Sequence, residues 1–293
     1  GTVFHKIKQF KYALHHYNEA IRINKHYYNA HNNLGMLLQE KGDLNKAIKS
    51  FKKAYELNPN LGDAVTNYWH LRQFCCDWKN QKLMKNHITQ YLKKYDKNPN
   101  IIPLKTFPLL SMFDEPSLHL KAANCYSKTK IALNNLIQEK NILKNNQRMK
   151  IVYLSDDFKD HPSSYLTAGI FENHSRKKFQ IYCVSTSKDD GSKIRKRIIN
   201  ACERFIDVSN KSDVEIVKLI SKISPNILID INGHTKGSRL KIFSYFAKIP
   251  TVGFLGYAGT VGGNINQYKI ADNIVIPKKN KIFFSEKIIY IPN

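Results

Sequence analysis

The sequence lacks any apolar stretch near the roughly 20 consecutive residues that a membrane-spanning helix requires. Its start, Gly1-Thr2-Val3-Phe4, lacks both an initiator methionine and the features of a signal peptide. We therefore expect a globular chain without a membrane span, and we interpret Gly1 as a cut end. With 293 residues, of which 42% are hydrophobic, the chain can form one large or two ordinary domains.

Cysteine spacings typical of metal sites are also missing. The five cysteines show neither a CxxC pair nor a Cys/His ligand pattern. Their odd number fits a reduced compartment inside the cell, so we expect a cytoplasmic protein, or a nucleocytoplasmic one in a eukaryote. Asp156 and Asp157 are adjacent acids, but no third carboxylate or histidine has a useful spacing near them, so we expect no metal.

Acidic residues are scarce, because 23 Asp and Glu stand against 47 Lys and Arg and give a formal net charge of +24. Such a charge could serve nucleic-acid binding, since neutralising phosphates releases counterions. The basic residues are spread along the whole chain, however, and most are lysine. A nucleic-acid interface concentrates its basic residues on one face. We therefore attribute the net charge to a proteome rich in lysine and expect no nucleic-acid partner.

A 34-residue period is present in the first quarter of the chain. Four positions recur at this spacing: Ala13 as Ala47, Tyr17 as Phe51, Ala20 as Ala54, and Asn33 as Asn67. This period is typical of tetratricopeptide repeats, in which each repeat is a pair of helices. Residues 28–61 form one nearly complete repeat, residues 4–24 hold mainly the second helix of an earlier one, and a third ends at Cys75-Cys76-Asp77-Trp78. We assign residues 1–78 to about two repeats, the first truncated.

The next segments predict a change of fold class along the chain. Residues 79–147 indicate a helical linker module, with helices at about 81–95 and 117–140. From residue 148, apolar runs alternate with helical patterns. The apolar runs are 150–154, 179–186, 204–208, 226–231, 251–255, 269–276 and 287–291, and the helices lie near 163–174, 191–201, 213–223 and 238–247. Such alternation indicates a parallel, doubly wound sheet. The predicted fold is therefore α + α/β: a tetratricopeptide α-solenoid followed by a Rossmann-like domain.

Ligands of such a sheet bind at the carboxyl ends of its strands. Four loops there are rich in Gly, His, Asp and Thr, and they are 155–163, 188–191, 232–237 and 256–263. In the first, Pro162 opens a predicted helix, and free N–H groups around Ser163 and Ser164 would favour an anion such as a diphosphate. His161 could contact that anion or transfer a proton, or it could merely cap the helix. His234 could likewise act in the crevice or make only an ordinary hydrogen bond.

Several motifs in this order resemble those of the protein O-GlcNAc transferase and SPINDLY family. The matching stretches are CDW at 76–78, SDDFKDHP at 155–162, DDG at 189–191, NGHTKGSR at 232–239 and LGYAGT at 255–260. The resemblance implies an inverting, metal-independent glycosyltransferase with two Rossmann-like halves. It would need no cofactor and would move a sugar from a nucleotide sugar to Ser or Thr of a polypeptide. We favour UDP-GlcNAc as donor; GDP-fucose, or a non-catalytic peptide-binding adaptor, is the alternative.

The resemblance also implies roles for individual residues. His161 would be catalytic, and Asp157 would assist removal of the acceptor proton. The residues that would contact the donor sugar are Pro162, Ser163, Leu255, Gly256 and Thr260. His234 and Thr235 would form a loop that faces donor and acceptor, while Asn33 and Asn67 would hold the backbone of the acceptor polypeptide.

The chain departs from the family pattern at two places. Ala258 replaces the usual proline of the Gly-Tyr-Pro-Gly-Thr loop, which would loosen the loop without removing a chemical group. The sequence stops at Asn293, where the second Rossmann-like half of the family begins. We therefore expect residues 148–293 to be the first catalytic half and the chain by itself to be inactive or nearly so.

Overall fold

A computed structural model describes residues 1–98, 101–131 and 147–292 of the chain. These residues form two compact units, Gly1–Thr129 and Lys130–Asn293. The first unit is helical and the second is built on a parallel sheet, so the predicted fold class is confirmed. The helices of the predicted linker module, up to Thr129, belong to the same compact unit as the repeats. The part of the predicted 117–140 helix beyond residue 131 lies outside the described residues.

The helices of the first unit reproduce the repeat pattern. They are α1 (Thr2–Lys6), α2 (Phe10–Ile23), α3 (Tyr28–Glu40), α4 (Leu44–Leu57), α5 (Gly62–Phe74), α6 (Gln81–Lys97), α7 (Thr106–Met112) and α8 (Pro116–Lys130). Helices α3 and α4 are the nearly complete repeat. They approach closely at Gly35, where an added Cβ would lie 2.6 Å from the Phe51 ring. Gly42, in the turn between them, has a φ of +81°, a conformation that favours glycine.

The helices after the repeats continue the same hydrophobic core. Val65 and Trp69 of α5 are buried in one cluster with Ile88 and Leu92 of α6 and with residues of α7 and α8. The hydroxyl oxygen of Tyr91 lies 2.6 Å from the backbone carbonyl oxygens of both Asn60 and Ile102, which share its single hydrogen as acceptors. The polar end of this buried side chain is thereby satisfied, which explains how α6 can pack against the end of the repeats.

The second unit contains seven parallel strands in the order β3-β2-β1-β4-β5-β6-β7 among its described residues. The strands are β1 (Met149–Ser155), β2 (Phe179–Ser185), β3 (Arg204–Asp207), β4 (Ile227–Asp230), β5 (Thr251–Phe254), β6 (Tyr268–Ala271) and β7 (Lys287–Tyr290). The α-helices are α9 (Pro162–Asn173), α10 (Lys193–Ala201) and α11 (Asp213–Ile223). Strand β1 is central: Ile151 pairs with Ile181 of β2 on one side and with Ile227 of β4 on the other. The strand order therefore reverses between β1 and β4.

Two predicted elements differ in the structure. The helix expected at 238–247 is a 3₁₀ helix, Leu240–Tyr245. Five of its six residues are buried, all except Lys241. A second 3₁₀ helix spans Lys278–Phe283.

The strand expected at 269–276 also differs, because β6 ends at Ala271. The carboxylate of Asp272 accepts hydrogen bonds from the backbone N–H of Ile274 and Val275 at 2.8 and 2.7 Å. This turn ends the strand and leaves Ile274 90% exposed, so the apolar run was misleading there. Within the described ranges, no helix combines the length and apolarity needed to cross a bilayer.

Candidate active site

The loops that follow β1, β4 and β5 meet at the carboxyl edge of the sheet, where the strand order reverses. In open α/β sheets, a crevice for ligands forms at this position. The predicted residues Asp157 and His161 follow β1, His234 and Thr235 follow β4, and the glycine loop 255–263 follows β5. The sheet topology therefore brings together segments that are up to about a hundred residues apart in sequence.

Asn232 connects the loop after β1 to the loop after β4. Its Oδ1 accepts a hydrogen bond from the backbone N–H of Asp156 at 2.7 Å. Its Nδ2 donates to Oδ2 of Asp157 at 2.8 Å and to the hydroxyl of Thr235 at 3.3 Å. Both ends of this buried amide are used, so Asn232 orients the Asp157 carboxylate and fixes the two loops relative to each other.

The Asp157 carboxylate lies at the start of α9 and is almost fully buried. Oδ2 also accepts from the hydroxyl of Ser163 at 3.4 Å and lies 3.6 Å from Nδ1 of His161. Burial raises the pKa of Asp157 above its ordinary value, while His161 and Lys159 oppose the shift. A carboxylate with a raised pKa holds a proton more tightly than an exposed aspartate does, which suits an acceptor of a proton.

His161 is the N-cap residue of α9. Its Nδ1 accepts a hydrogen bond from the backbone N–H of Ser163 at 3.2 Å, and its carbonyl accepts from Ser164 N–H at 2.9 Å. The prediction of free N–H groups around Ser163 and Ser164 is therefore wrong, because the cap and the first helical turn use both donors. The capping alternative is present in the structure.

The cap also determines which tautomer of the neutral imidazole is present. Because Nδ1 of His161 accepts the Ser163 N–H, a neutral ring carries its hydrogen on Nε2. The side chain is 40% exposed, so this Nε2–H can reach a ligand in the crevice. Capping and ligand contact use different nitrogens and are compatible.

Asp156 makes contacts that are separate from those of Asp157. Its Oδ2 accepts from the Lys159 ammonium at 2.7 Å, and its side chain packs against Gly237, where an added Cβ would lie 2.2 Å from Oδ2. Gly237 has a φ of +83°. These contacts connect the loop after β1 to the end of the 232–237 loop. In the described part of the chain, no group of three His, Cys, Asp or Glu side chains is arranged to hold a metal ion.

His234, in loop 232–237, packs against the glycine loop 255–263. Its Nε2 donates to the carbonyl of Val261 at 2.8 Å, and its ring lies edge-on to the Tyr257 ring at 5.4 Å. Burial lowers the pKa of His234 to about 4, and the charge of Lys269 adds to the shift. The imidazole is therefore neutral at pH 7, and its Nδ1 is the unprotonated nitrogen.

Leu255 and Gly256 form the sharp turn at the end of β5. Leu255 has a φ of +64°, unusual for a residue with a branched side chain, and it is 40% exposed. An added Cβ at Gly256 would lie 1.7 Å from the carbonyl oxygen of Ile231, so only glycine fits. Strained residues that neighbouring structure holds in place often mark ligand sites.

Thr260 faces inward. Its hydroxyl donates to Oε2 of Glu286 at 2.6 Å and lies 3.1 Å from the Ser285 hydroxyl. The Glu286 carboxylate also accepts the backbone N–H of Val261 at 2.8 Å. Thr260 therefore shapes the glycine loop, and its contact with a donor sugar stays a prediction.

A second contact set holds the loop after β1 from the side of β2. The Asp190 carboxylate accepts the Asp160 N–H at 2.6 Å, next to His161. The buried guanidinium of Arg195 donates to the Phe158 carbonyl at 2.6 Å and to Asp207 at 2.6 Å. The Asp-Asp-Gly motif at 189–191, in the loop after β2, was predicted to lie near the site, whereas no role was predicted for Arg195. Its position within an ordinary helical pattern carries no signal of burial.

Asn33 and Asn67 lie in the first unit, on α3 and α5. Asn67 donates through Nδ2 to Oδ1 of the buried Asn32 at 3.3 Å, and its Oδ1 accepts from the Lys105 ammonium at 3.0 Å. The repeat period aligned Asn67 with Asn33, yet its hydrogen-bonded neighbour is Asn32. Both predicted asparagines are partly buried, and peptide binding by them stays a prediction.

Comparison with known proteins identifies the class of this chain. The family model of glycosyl transferase family 41 matches residues 75–293, and a tetratricopeptide repeat model matches residues 28–61. The chain belongs to glycosyl transferase family 41. The matched region begins at the end of the repeats and includes all the loops of the candidate site.

Two relatives have curated descriptions. A probable UDP-N-acetylglucosamine–peptide N-acetylglucosaminyltransferase SEC of Arabidopsis thaliana is 35% identical over 147 residues, which cover 50% of this chain and 15% of that protein. A UDP-N-acetylglucosamine–peptide N-acetylglucosaminyltransferase of Caenorhabditis elegans is 30% identical over 233 residues, covering 75% of this chain and 20% of that protein. The matched part of the chain thus spans a fifth or less of the length of these relatives.

A solved structure shares the fold. A mutant O-GlcNAc transferase of Thermobaculum terrenum superposes with a TM-score of 0.70 at 19% identity, and the match covers 97% of this chain and 57% of that one. At this identity the likeness concerns the fold alone.

Proposed function

We propose that the protein carrying this chain is a protein O-glycosyltransferase that transfers GlcNAc from UDP-GlcNAc to Ser or Thr of polypeptides, with inversion and without a metal ion. Membership of glycosyl transferase family 41 and the descriptions of the two relatives support the reaction class. The observation that carries the proposal is the hydrogen-bonded group formed by Asp157, Asn232, Ser163 and His161 at the switch point of the sheet. It joins a buried proton acceptor and a partly exposed imidazole.

Asp157 is the proposed proton acceptor. In an inverting transfer, the acceptor hydroxyl forms a bond to the anomeric carbon while the bond from that carbon to the diphosphate oxygen breaks. The hydroxyl proton passes to the Asp157 carboxylate, directly or through a water molecule. Burial makes the carboxylate a stronger base, and the Asn232 amide at 2.8 Å orients it.

His161 is the proposed partner of the leaving diphosphate. With Nδ1 engaged by the Ser163 N–H, its Nε2–H is a donor that can offset negative charge as it develops on the phosphate oxygen. The positive end of the α9 dipole adds to this effect. The contact comes from the side chain, because the first N–H groups of the helix already have acceptors.

The glycine loop and the repeats supply the proposed binding surfaces. Leu255 and Gly256 would line the sugar pocket, where the absence of a side chain at Gly256 allows close approach of the backbone. His234 and Thr235 would face donor and acceptor. In the helical unit, Asn33 and Asn67 would hydrogen-bond to the backbone of the acceptor polypeptide, which is the proposed macromolecular partner.

The test uses the full-length protein and measures transfer of labelled sugar to a polypeptide acceptor. His161→Ala and Asp157→Asn should each lower kcat by about 100-fold or more, because both remove groups that act on the reacting atoms. Two exposed residues of the helical unit provide matched controls: His26→Ala and Asp114→Asn should retain normal transfer. Undiminished transfer by both active-site variants would overturn the assignment.

Calorimetry on the same protein distinguishes the remaining alternatives. Binding of UDP-GlcNAc in preference to GDP-fucose supports the proposed donor, and the reverse preference would replace GlcNAc with fucose. Binding of neither nucleotide sugar would favour the non-catalytic adaptor. Nucleic-acid binding with a steep salt dependence would contradict the expectation that the excess of lysine is only compositional.

A further inference from the structure

Three buried charged side chains contact loops 232–237 and 255–263. Asp230 at the end of β4, Lys269 in β6 and Glu286 before β7 are each only 4% exposed. Removing such groups from water is costly unless partners compensate. None of the three takes part in the proposed chemistry, so their burial calls for another explanation.

Asp230 fixes the start of the loop after β4. Its carboxylate accepts hydrogen bonds from the backbone N–H of Asn232 at 2.9 Å and from that of Gly233 at 3.0 and 3.1 Å. It also accepts from Nδ2 of the buried Asn266 at 3.1 Å. Since Asn232 orients Asp157, the position of this loop matters for the proposed proton acceptor.

Lys269 connects β6 to the glycine loop after β5. Its ammonium donates to the carbonyl of Tyr257 at 2.5 Å. Tyr257 in turn packs on Gly233 and against the His234 ring, so the lysine holds the residue at which the two loops meet.

Glu286 fixes the far side of the same loop. Its two carboxylate oxygens accept the Thr260 hydroxyl at 2.6 Å and the Val261 N–H at 2.8 Å. The carbonyl of Val261 accepts from Nε2 of His234 at 2.8 Å. The glycine loop is therefore held at Tyr257 by a cation and at Thr260 and Val261 by an anion.

The two carboxylates favour the charged form of the lysine. Burial lowers the pKa of Lys269, and the carboxylates of Glu286 and Asp230 oppose that shift by favouring the charged ammonium. A lysine without a structural role usually extends its ammonium into water, where the charge carries no desolvation cost.

We propose that Lys269 is a positioning residue: its buried ammonium, through the hydrogen bond to the Tyr257 carbonyl, holds loop 255–263 in the shape that receives the sugar donor. The identity of that ligand rests on the proposed function, while the tethering of the loop does not. Because Tyr257 packs on Gly233 and His234, the same hydrogen bond also fixes the position of loop 255–263 relative to loop 232–237, which carries His234 and Thr235.

The first experiment measures amide hydrogen exchange on this chain. Lys269→Met keeps a similar length but removes the charge and the donor, so the amides of residues 257–263 should exchange at least tenfold faster. Lys269→Arg, which keeps both, should exchange more slowly than the methionine variant. Lys287→Met, at an exposed strand position, is the matched control and should leave the loop unchanged.

A second variant covers the case in which Lys269→Met does not fold. Glu286→Gln has nearly the same shape and removes the balancing charge and one acceptor, so the Val261 amide should exchange faster. Wild-type exchange throughout residues 257–263 in every folded variant of Lys269 and Glu286 would overturn the proposal.

The third measurement uses the full-length protein and separates positioning from general stability. Lys269→Met should raise KM for the nucleotide sugar about tenfold or more, while kcat and KM for the polypeptide change little. An unchanged KM for the donor would contradict the positioning role. If the wild-type protein bound no nucleotide sugar, the proposed function would fail, whereas the exchange experiment would still decide whether Lys269 tethers the loop.

Discussion

The two units of the chain are stabilised by different kinds of contact. In the helical unit, small residues allow helices to approach, as Gly35 does against Phe51, and the core clusters are apolar. At the carboxyl edge of the sheet, buried Asp157, Asp230 and Lys269 are held by hydrogen bonds between separate loops. Among the described residues, the helical unit buries one charged side chain, Arg72, whereas the sheet unit buries five: Asp157, Arg195, Asp230, Lys269 and Glu286. The sheet unit therefore relies more on partners for buried charges.

Two asparagines provide the most sensitive test of this comparison. Asn232→Ala in the full-length protein should lower kcat by about 100-fold, because Asp157 loses the amide that orients it and small displacements of reacting groups are costly. Asn67→Ala should raise KM for the polypeptide only about two- to tenfold, since it removes one hydrogen bond among several. Steady-state kinetics with varied donor and acceptor measure both. A large fall in kcat for the Asn67 variant would break the distinction between the units.

Substitution of one glycine in each unit tests how well that unit tolerates an added methyl group. Gly256→Ala places a methyl group 1.7 Å from the backbone carbonyl oxygen of Ile231, directly after β4, so it should cost about 3 kcal/mol or more of unfolding free energy. Gly35→Ala meets the Phe51 ring at 2.6 Å, and the ring can shift, so a cost of about 1–2 kcal/mol is expected. Urea unfolding, followed separately for each unit, measures both. Equal costs would show that the sheet edge is less rigid than proposed.

The pH dependence of stability should also differ between the units, through His234. Its pKa in the folded chain is about 4 against 6.5 for the ordinary side chain, so the unfolded state binds the proton first. This contribution is fully present above pH 6.5 and is lost as the pH falls towards 4. Between pH 7 and 5 the loss should be about 2 kcal/mol. The raised pKa values of Asp157 and Asp230 act in the opposite direction.

The comparison of wild type with His234→Gln isolates this term, because the carboxylates are common to both proteins. Urea unfolding at pH 7 and pH 5 should show a smaller loss of stability for the variant in the sheet unit. In the helical unit, burial and Lys105 lower the pKa of His70, so His70→Gln provides the matched measurement there. An unchanged pH dependence in the His234 variant would indicate that its ring is solvated.

The predictions from sequence succeeded where local periodicity carries the information. The 34-residue period located α3 and α4, because a helix pair repeats its contacts at fixed spacing. The alternation of apolar runs and helices located the sheet for the same reason. It was wrong at residues 272–276, where the Asp272 side chain turns the backbone and the apolar Ile274 lies in solvent.

The candidate site was predicted less completely. Asp157, His161 and Thr235 are joined by hydrogen bonds or close contacts through Asn232 and Ser163. The bridging role of Asn232 depends on contact with a residue 75 positions away, and no local pattern reports such a contact. The prediction of free N–H groups at the start of α9 failed because the His161 side chain turns towards the Ser163 N–H and the His161 carbonyl accepts the Ser164 N–H.

The sequence by itself determined the order of the units, the repeat, the parallel sheet and the loops that would carry chemistry, since these follow from turn residues and apolar spacing. Only the tertiary structure decided which side chains meet. It buried Lys269 under Tyr257, turned Thr260 towards Glu286 and placed His234 against Val261. The reason is physical: spacing along a chain sets the direction of each side chain, whereas desolvation and hydrogen bonding depend on neighbours that only folding supplies.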